Sequence, residues 1–232
     1  RSFMAFVHLG IHSEFSITDS IIRIKPLVKA AAADGQMALA LTDLSNLYAT
    51  VKFYRACLDA GIKPIIGAEI ILEDESTRLT LLAMNNEGYQ SITRIVSLGF
   101  TEGRMNPENR GVPIVNKEHL LANSEGVIVL FTEKSDVGHA LMGSNPERGH
   151  QLLTEYQAVF EDRLYFAIKR TRRVGEDTFI EQAILAGQRH GIASVAHNDV
   201  RFLVEDDFDA HEARVCIASS HVLADPNRPH DY

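Results

Sequence analysis

Apolar residues fall along the chain in short runs separated by longer amphipathic stretches. The runs "AFVHLGIH" (5–12), "MALALTD" (37–43), "KPIIGAEIIL" (63–72), "LTLLAMN" (79–85), "GVIVLFT" (126–132), "RLYFAIK" (163–169) and "ASVAHND" (193–199) read as strands. Several are apolar at consecutive positions rather than alternate ones, the pattern of a parallel strand covered on both faces. Between them, "IKPLVKAAAADG" (24–35), "DLSNLYATVKFYRACLDAG" (43–61), "NNEGYQSITRIVSLG" (85–99), "NPERGHQLLTEYQAVFED" (145–162) and "EDTFIEQAILAGQRHG" (176–191) read as helices. Gly35 and Gly61 are placed to close the first two, and Pro146 to open the fourth. A last helix, "DDFDAHEARVCIA" (206–218), follows the final strand. This alternation predicts parallel βαβ units with right-handed crossovers. Seven strands predict an α/β fold that is a closed or nearly closed barrel, with a doubly wound open sheet as the second choice. "TEGRMNPENRGVP" (101–113) lacks periodicity and predicts a long exposed loop. There is no internal repeat, no GxGxxG and no Walker-type loop.

Composition adds boundaries to this picture. At 232 residues with 45% hydrophobic and 23% charged, the chain is expected to bury a core, as one domain over 1–232. A net charge of −8 argues against a main nucleic-acid-gripping element, though not against a local basic patch. Two distant cysteines, Cys57 and Cys216, give no disulfide framework and no cysteine zinc site, and suit a reducing cytoplasm. The apolar runs are too short to cross a membrane, and no signal sequence precedes Phe6. The opening "RSFM" reads as three added residues, Arg1–Phe3, ahead of a natural Met4, and "RPHDY" closes without a tail. A piece of a longer chain is expected.

Candidate chemistry lies at the strand ends. In βα folds the functional face is at the C-terminal ends of the strands. His12, Asp43 and Asp199 end the first, second and seventh strands, and Glu69 comes late in the third. Imidazole with hard carboxylate oxygens suits Zn, Mn or Fe. Each also has a plainer reading. Asp43 and Asp199 could N-cap following helices, and His12 could be a satisfied polar group in a turn. Glu69, between Ala68 and Ile70, is harder to place on a surface. His8 reads as a core-edge histidine, and His211 and Glu212 as a solvated helix face. His197 shares a strand face with Asp199 and receives no role. His119, His139, His150, His190, His221 and His230 show no ligand spacing.

"FVHLGIHSEFSITDS", "ALALTDLSNLYATVKFY", "AGIKPIIGAEI", "LLAMNNEGYQSI" and "VAHNDVRFLVEDDFDAHE" together resemble the N-terminal polymerase-and-histidinol-phosphatase (PHP) domain of bacterial DNA polymerase III alpha subunits, proteobacterial type, from about Phe6 to Tyr232. The resemblance implies a distorted (β/α)7 barrel with mostly parallel strands. Active members resemble trinuclear metal phosphoesterases, whose metal-bound hydroxide attacks a phosphate ester. Their ligand pattern falls here on Gly10 and His12, Asp43 and Leu44, Glu69, Arg78, a position near Thr132 or Glu133, and Asp199 with Arg201. On that alignment His12, Asp43, Glu69 and Asp199 are remnants, and Gly10, Leu44, Arg78, Glu133 and Arg201 are replacements. Apart from His12, the imidazoles go and the carboxylates stay. Carboxylates without metal need cations, and arginine is always charged and forks onto them. Arg78 and Arg201 are therefore expected to pair with Asp43, Glu69 or Asp199, and removing one partner is expected to cost about 3–5 kcal/mol.

The resemblance implies a metal-depleted, non-catalytic scaffold with no cofactor, docking the proofreading exonuclease (epsilon) subunit within a cytoplasmic replicative polymerase. DNA would be met only through the remainder of the alpha chain, which carries the nucleotidyltransferase activity, and no membrane is involved. The alternative is a residual metal-dependent phosphoesterase or pyrophosphatase using His12, Asp43, Glu69 and Asp199, with Glu133 as a further ligand. A nucleic-acid-binding module in its own right is disfavoured by the acidic balance.

Overall fold

The computed structural model describes residues 6–17, 19–74, 76–105 and 111–228. The chain forms two compact units, Arg1–Ile66 with Asp199–Tyr232, and Gly67–Asn198. Among the described residues, five strand pairings are parallel and three antiparallel. The mostly parallel α/β expectation therefore holds.

The first unit carries β1 (Gly10–Ile11), α1 (Ile24–Ala33), β2 (Ala38–Leu41), α2 (Thr50–Asp59), the opening of β3 (Lys63–Leu72), β10 (Asp199–Val200) and α8 (Phe208–Ser219). β1 pairs with β10 in parallel, with Gly10 opposite Asp199, and β2 pairs in parallel with the start of β3. Ile11, Leu39, Leu41, Ile24, Leu27 and Phe53 pack into its core. Gly35 and Gly61 follow α1 and α2 at φ 74° and 70°, the left-handed turn that a glycine after a helix makes without steric cost. The first strand is shorter than its apolar run, because only Gly10 and Ile11 pair with β10. Around them His8 O accepts from Ala40 N at 2.9 Å and Ile11 O from Thr42 N at 2.9 Å.

The second unit continues β3 and adds β4 (Arg78–Ala83), α3 (Asn86–Glu102), β5 (Arg104–Met105), β6 (Pro113–Val115), α4 (Lys117–Ala122), β7 (Val127–Phe131), α5 (Asp136–Met142), α6 (Pro146–Phe160), β8 (Leu164–Ile168), α7 (Glu176–His190) and β9 (Ala193–Ala196). Its strands run in the order β5-β6-β3-β4-β7-β8-β9. β4 is antiparallel to both β3 and β7, since too few residues separate it from β3 for a crossover helix. Phe131, Tyr156, Phe160, Phe166 and Phe179 form a chain of ring contacts in the core, with centroids 5.0–6.5 Å apart.

Three boundaries differ from the sequence reading. α2 begins at Thr50 rather than at Asp43. α3 passes through Gly99, whose Cβ would lie 3.1 Å from Val115, and ends at Glu102. The expected 101–113 loop contains β5 and the start of β6, while its residues 106–110, like Arg1–Phe3 and His230, lie outside the described residues.

Candidate functional site

In the first unit, the β1–β10 pairing sets His12 and Arg201 side by side at the strand ends. His12 N–H donates to Val200 O at 3.1 Å. The Ser20 hydroxyl, wholly buried, sits 2.5 Å from His12 O and 3.0 Å from Arg201 O, tying both loops together. Arg201 is buried, and its Nη2 donates to Asp199 Oδ1 at 2.8 Å. Its Nη1 reaches the Asp19 carboxylate and His12 Nδ1. His12 Nδ1 is also 3.0 Å from Asp19 Oδ2. A guanidinium only donates and a carboxylate only accepts, so this one ring nitrogen faces a donor and an acceptor and serves one at a time. The arrangement is one fixed cation held between two carboxylates and an imidazole.

Asp43, also buried, lies two residues beyond β2. It accepts from Ser13 N at 2.6 Å, Ser13 Oγ at 2.7 Å and Ser16 Oγ at 2.7 Å. Ser16 Oγ in turn accepts from Leu44 N at 3.0 Å, with Leu44 itself buried. Asp43 therefore holds the 13–16 turn and caps no helix, since α2 is preceded by Ala49 without a side-chain cap. Asp199 likewise caps nothing. It opens β10 instead of ending the preceding strand, and α8 starts beyond Asp207.

The second unit repeats the carboxylate–cation theme twice. Glu69 lies within β3 between the fully buried Ala68 and Ile70, and Arg78 opens β4. Arg78 Nη1 donates to Glu69 Oε1 at 3.4 Å. Glu133, just past β7, pairs with the buried Lys169 at 2.7 Å. The two arginine pairs expected from the sequence are present, at Glu69 and Asp199. Asp43 is not in an arginine pair.

Two residues escaped the sequence reading. Asp19 sits in the polar stretch "ITDS", which reads as solvated, and its only signal is its closeness in sequence to His12. Lys169 ends an apolar strand, where a charged residue needs a partner. Two others were misplaced. His211 is fully buried, its ring 5.6 Å from that of Phe202. Burial, followed by the Arg201 charge, lowers its pKa. Glu212 pairs with Arg228 at 2.7 Å. The helix turns these residues inward, so the solvated-face reading fails. His8 is half-buried and its pKa is lowered by burial, as a core-edge position implies. His197 is buried with its N–H on Ile168 O at 2.9 Å.

The donors at these positions are already engaged by protein groups. In the first unit a guanidinium already occupies the space among His12, Asp19 and Asp199. Asp43 is engaged by three hydrogen bonds. Within either unit, among the described residues, no group of three or more His, Cys, Asp or Glu side chains is placed to hold an ion. Among the same residues, no helix is long and apolar enough to cross a membrane.

A family profile described as "PHP domain" matches residues 8–171. Among curated proteins, the chain is 42% identical over 235 residues to DNA polymerase III subunit alpha of Pseudomonas aeruginosa, with 99% of this chain and 20% of that protein covered. It is 41% identical over 233 residues to the Escherichia coli K12 subunit, at 98% and 20% coverage. The chain thus spans about a fifth of the length of these relatives. Among solved structures, it resembles an amidohydrolase from Chromobacterium violaceum with bound sulfate and no metal, with TM-score 0.54 and 13% identity. It equally resembles a putative metal-dependent phosphoesterase from Bifidobacterium adolescentis, with TM-score 0.54 and 13% identity. Each likeness covers 90% of this chain and 96% of the other.

Proposed function

Because the chain belongs to the PHP domain family, we propose that it is a PHP domain of a replicative DNA polymerase III alpha chain whose phosphoesterase centre has been converted into a structural ion-pair network. In this reading 1–232 is one domain. It acts as a cytoplasmic scaffold for the polymerase and docks the proofreading exonuclease subunit, while DNA synthesis belongs to the rest of a longer chain. The identity to alpha subunits across nearly all of this chain supports that assignment.

The observation that carries the reading is the Arg201 guanidinium on Asp199, Asp19 and His12. On the alignment that the resemblance implies, active PHP enzymes place imidazole where this chain has Gly10, Leu44, Arg78 and Arg201. A divalent ion entering here would meet a permanent positive charge, and remaining donors already engaged. The reading therefore treats His12, Asp43, Glu69 and Asp199 as remnants with structural duties.

The test is metal content and hydrolysis measured together. Protein purified without chelator, and protein supplied with Zn or Mn, should hold no stoichiometric metal and should not hydrolyse p-nitrophenyl phosphate. It should co-elute with the purified exonuclease subunit. About one tightly held ion per chain, lost in Glu69→Ala along with ester hydrolysis, would overturn the reading in favour of a reduced but working phosphoesterase.

A further inference from the structure

The chain is acidic overall, yet one stretch of the second unit reverses the sign. "KRTRR" (169–173) places four basic residues in five positions, directly after β8. Lys169 turns inward to Glu133 and is not part of the outer surface. Arg170, Arg172 and Arg173 are exposed and, with Glu176 and Asp177, line a hollow of about 460 Å³ at the surface.

The two acids do not cancel the three arginines equally. Glu176 is buried, and its oxygens face the loop's own backbone: Thr171 N at 2.7 Å, Arg173 N at 3.2 Å, and the Thr171 hydroxyl. Burial works to raise its pKa. The hydrogen bonds from Thr171, Arg173 and Arg172 outweigh it, so the carboxyl is held below its ordinary value. Glu176 therefore acts as an internal clasp that shapes the loop. Asp177 is the exposed carboxylate lining the hollow, 3.7 Å from Arg170 with both side chains exposed, a pair of little strength. The loop turns through Arg172 at φ 68°, a conformation that side-chain-bearing residues rarely adopt.

Three guanidiniums around one hollow, with one solvated acid among them, make a receptor for an anion with several oxygens. Guanidinium geometry matches phosphate through paired N–H donors. The hollow is far larger than one water and open enough for a tetrahedral anion. We propose that the 170–177 loop is a phosphate-binding site, formed by Arg170, Arg172 and Arg173, which takes a phosphodiester backbone or a free phosphoryl group. The proposal is independent of whether the β1–β10 centre binds metal, and it assigns no chemistry to the bound phosphate.

Residue-resolved arginine protection tests it in the full chain, where other nucleic-acid contacts would mask a simple binding curve. Phenylglyoxal modification would be quantified by peptide mass spectrometry, with exposed Arg55 as the internal control. The probes are a single-stranded dT20 and inorganic phosphate, matched in total phosphate. Slowed modification of Arg170, Arg172 and Arg173 by dT20 alone assigns the site to a polymer backbone. Slowing by inorganic phosphate as well assigns it to free phosphoryl groups. In either case an Arg172→Ala, Arg173→Ala double variant should need at least tenfold more probe to protect Arg170. Both residues are exposed, so the variant should keep the wild-type melting temperature. No slowing with either probe, slowing equal to that at Arg55, or unchanged protection of Arg170 in the double variant would overturn the proposal.

Discussion

Arg201 carries five donors and no acceptor, and in the folded chain it reaches Asp199, Asp19 and His12 from a buried position. Truncation would remove the buried cation that Asp199 and Asp19 share. Arg201→Ala is expected to cost about 3–5 kcal/mol. The Arg78 pair is different. Its guanidinium is 28% exposed and touches one oxygen of Glu69 at 3.4 Å, so solvent screens it and Arg78→Ala is expected to cost about 1 kcal/mol or less. The sequence reading put both arginines in the costly class, and the depth of Arg201 separates them. Guanidinium chloride unfolding of the two variants side by side checks this, and equal losses would refute the distinction. These pairs were legible because a permanent cation at a ligand position implies a carboxylate partner. Asp19 and Lys169 were not, because an acid in a polar turn and a lysine at a strand end look the same in sequence whether solvated or buried. The buried state of His211 depends on which side of α8 meets the core, which no local pattern in 206–218 revealed.

Among the elements, the long ones were readable and the short ones were not. α6 and α7 carry enough turns to show a helical period, whereas α4 and α5, at 6 and 7 residues, do not. β5 and β10, at two residues each, exist through their partners alone. The antiparallel course of β4 was hidden because a run such as "LTLLA" is buried equally well in either direction. α6 and α7 also share a titratable contact, His150 Nδ1 to His190 Nε2 at 3.1 Å, with the rings stacked. Gln157 Nε2 donates to His190 O at 2.8 Å, so its Oε1 accepts from His190 Nδ1–H at 3.1 Å. His190 Nε2 is then the acceptor of the His–His bond. Burial, then the His150 and Arg189 charges, lower the His190 pKa against a smaller opposing pull from Glu147. The unfolded chain therefore takes up a proton near the ordinary value of 6.5 that the folded chain resists. Stability is unaffected above that pH and falls as pH drops below it. Thermal unfolding between pH 8 and pH 5.5 should show this loss, and His190→Gln should reduce it. An unchanged slope would refute the assignment.

At the scale of the molecule, the α/β class, the parallel bias and the resemblance to PHP domains were all carried by long ordered phrases of sequence. The division into two compact units was not, because the first unit is assembled from both ends of the chain. If the centre binds no metal, excess Zn or Mn should leave the unfolding midpoint where it is. An ion at a hundredfold over its Kd would instead add about 2.7 kcal/mol. Differential scanning fluorimetry with and without each ion reads the difference. The joining of Gly10 to Asp199 also has a consequence in time. His12 and Arg201 stand 189 positions apart, so on a ribosome making about 5–20 residues per second the arginine follows the histidine by about 10–40 s. Through that interval the 13–16 turn can already close on Asp43, while β1 has no β10 beside it. The first unit begins first and is completed last, and the nascent chain carries its opening segment as unfinished work until Arg201 is made.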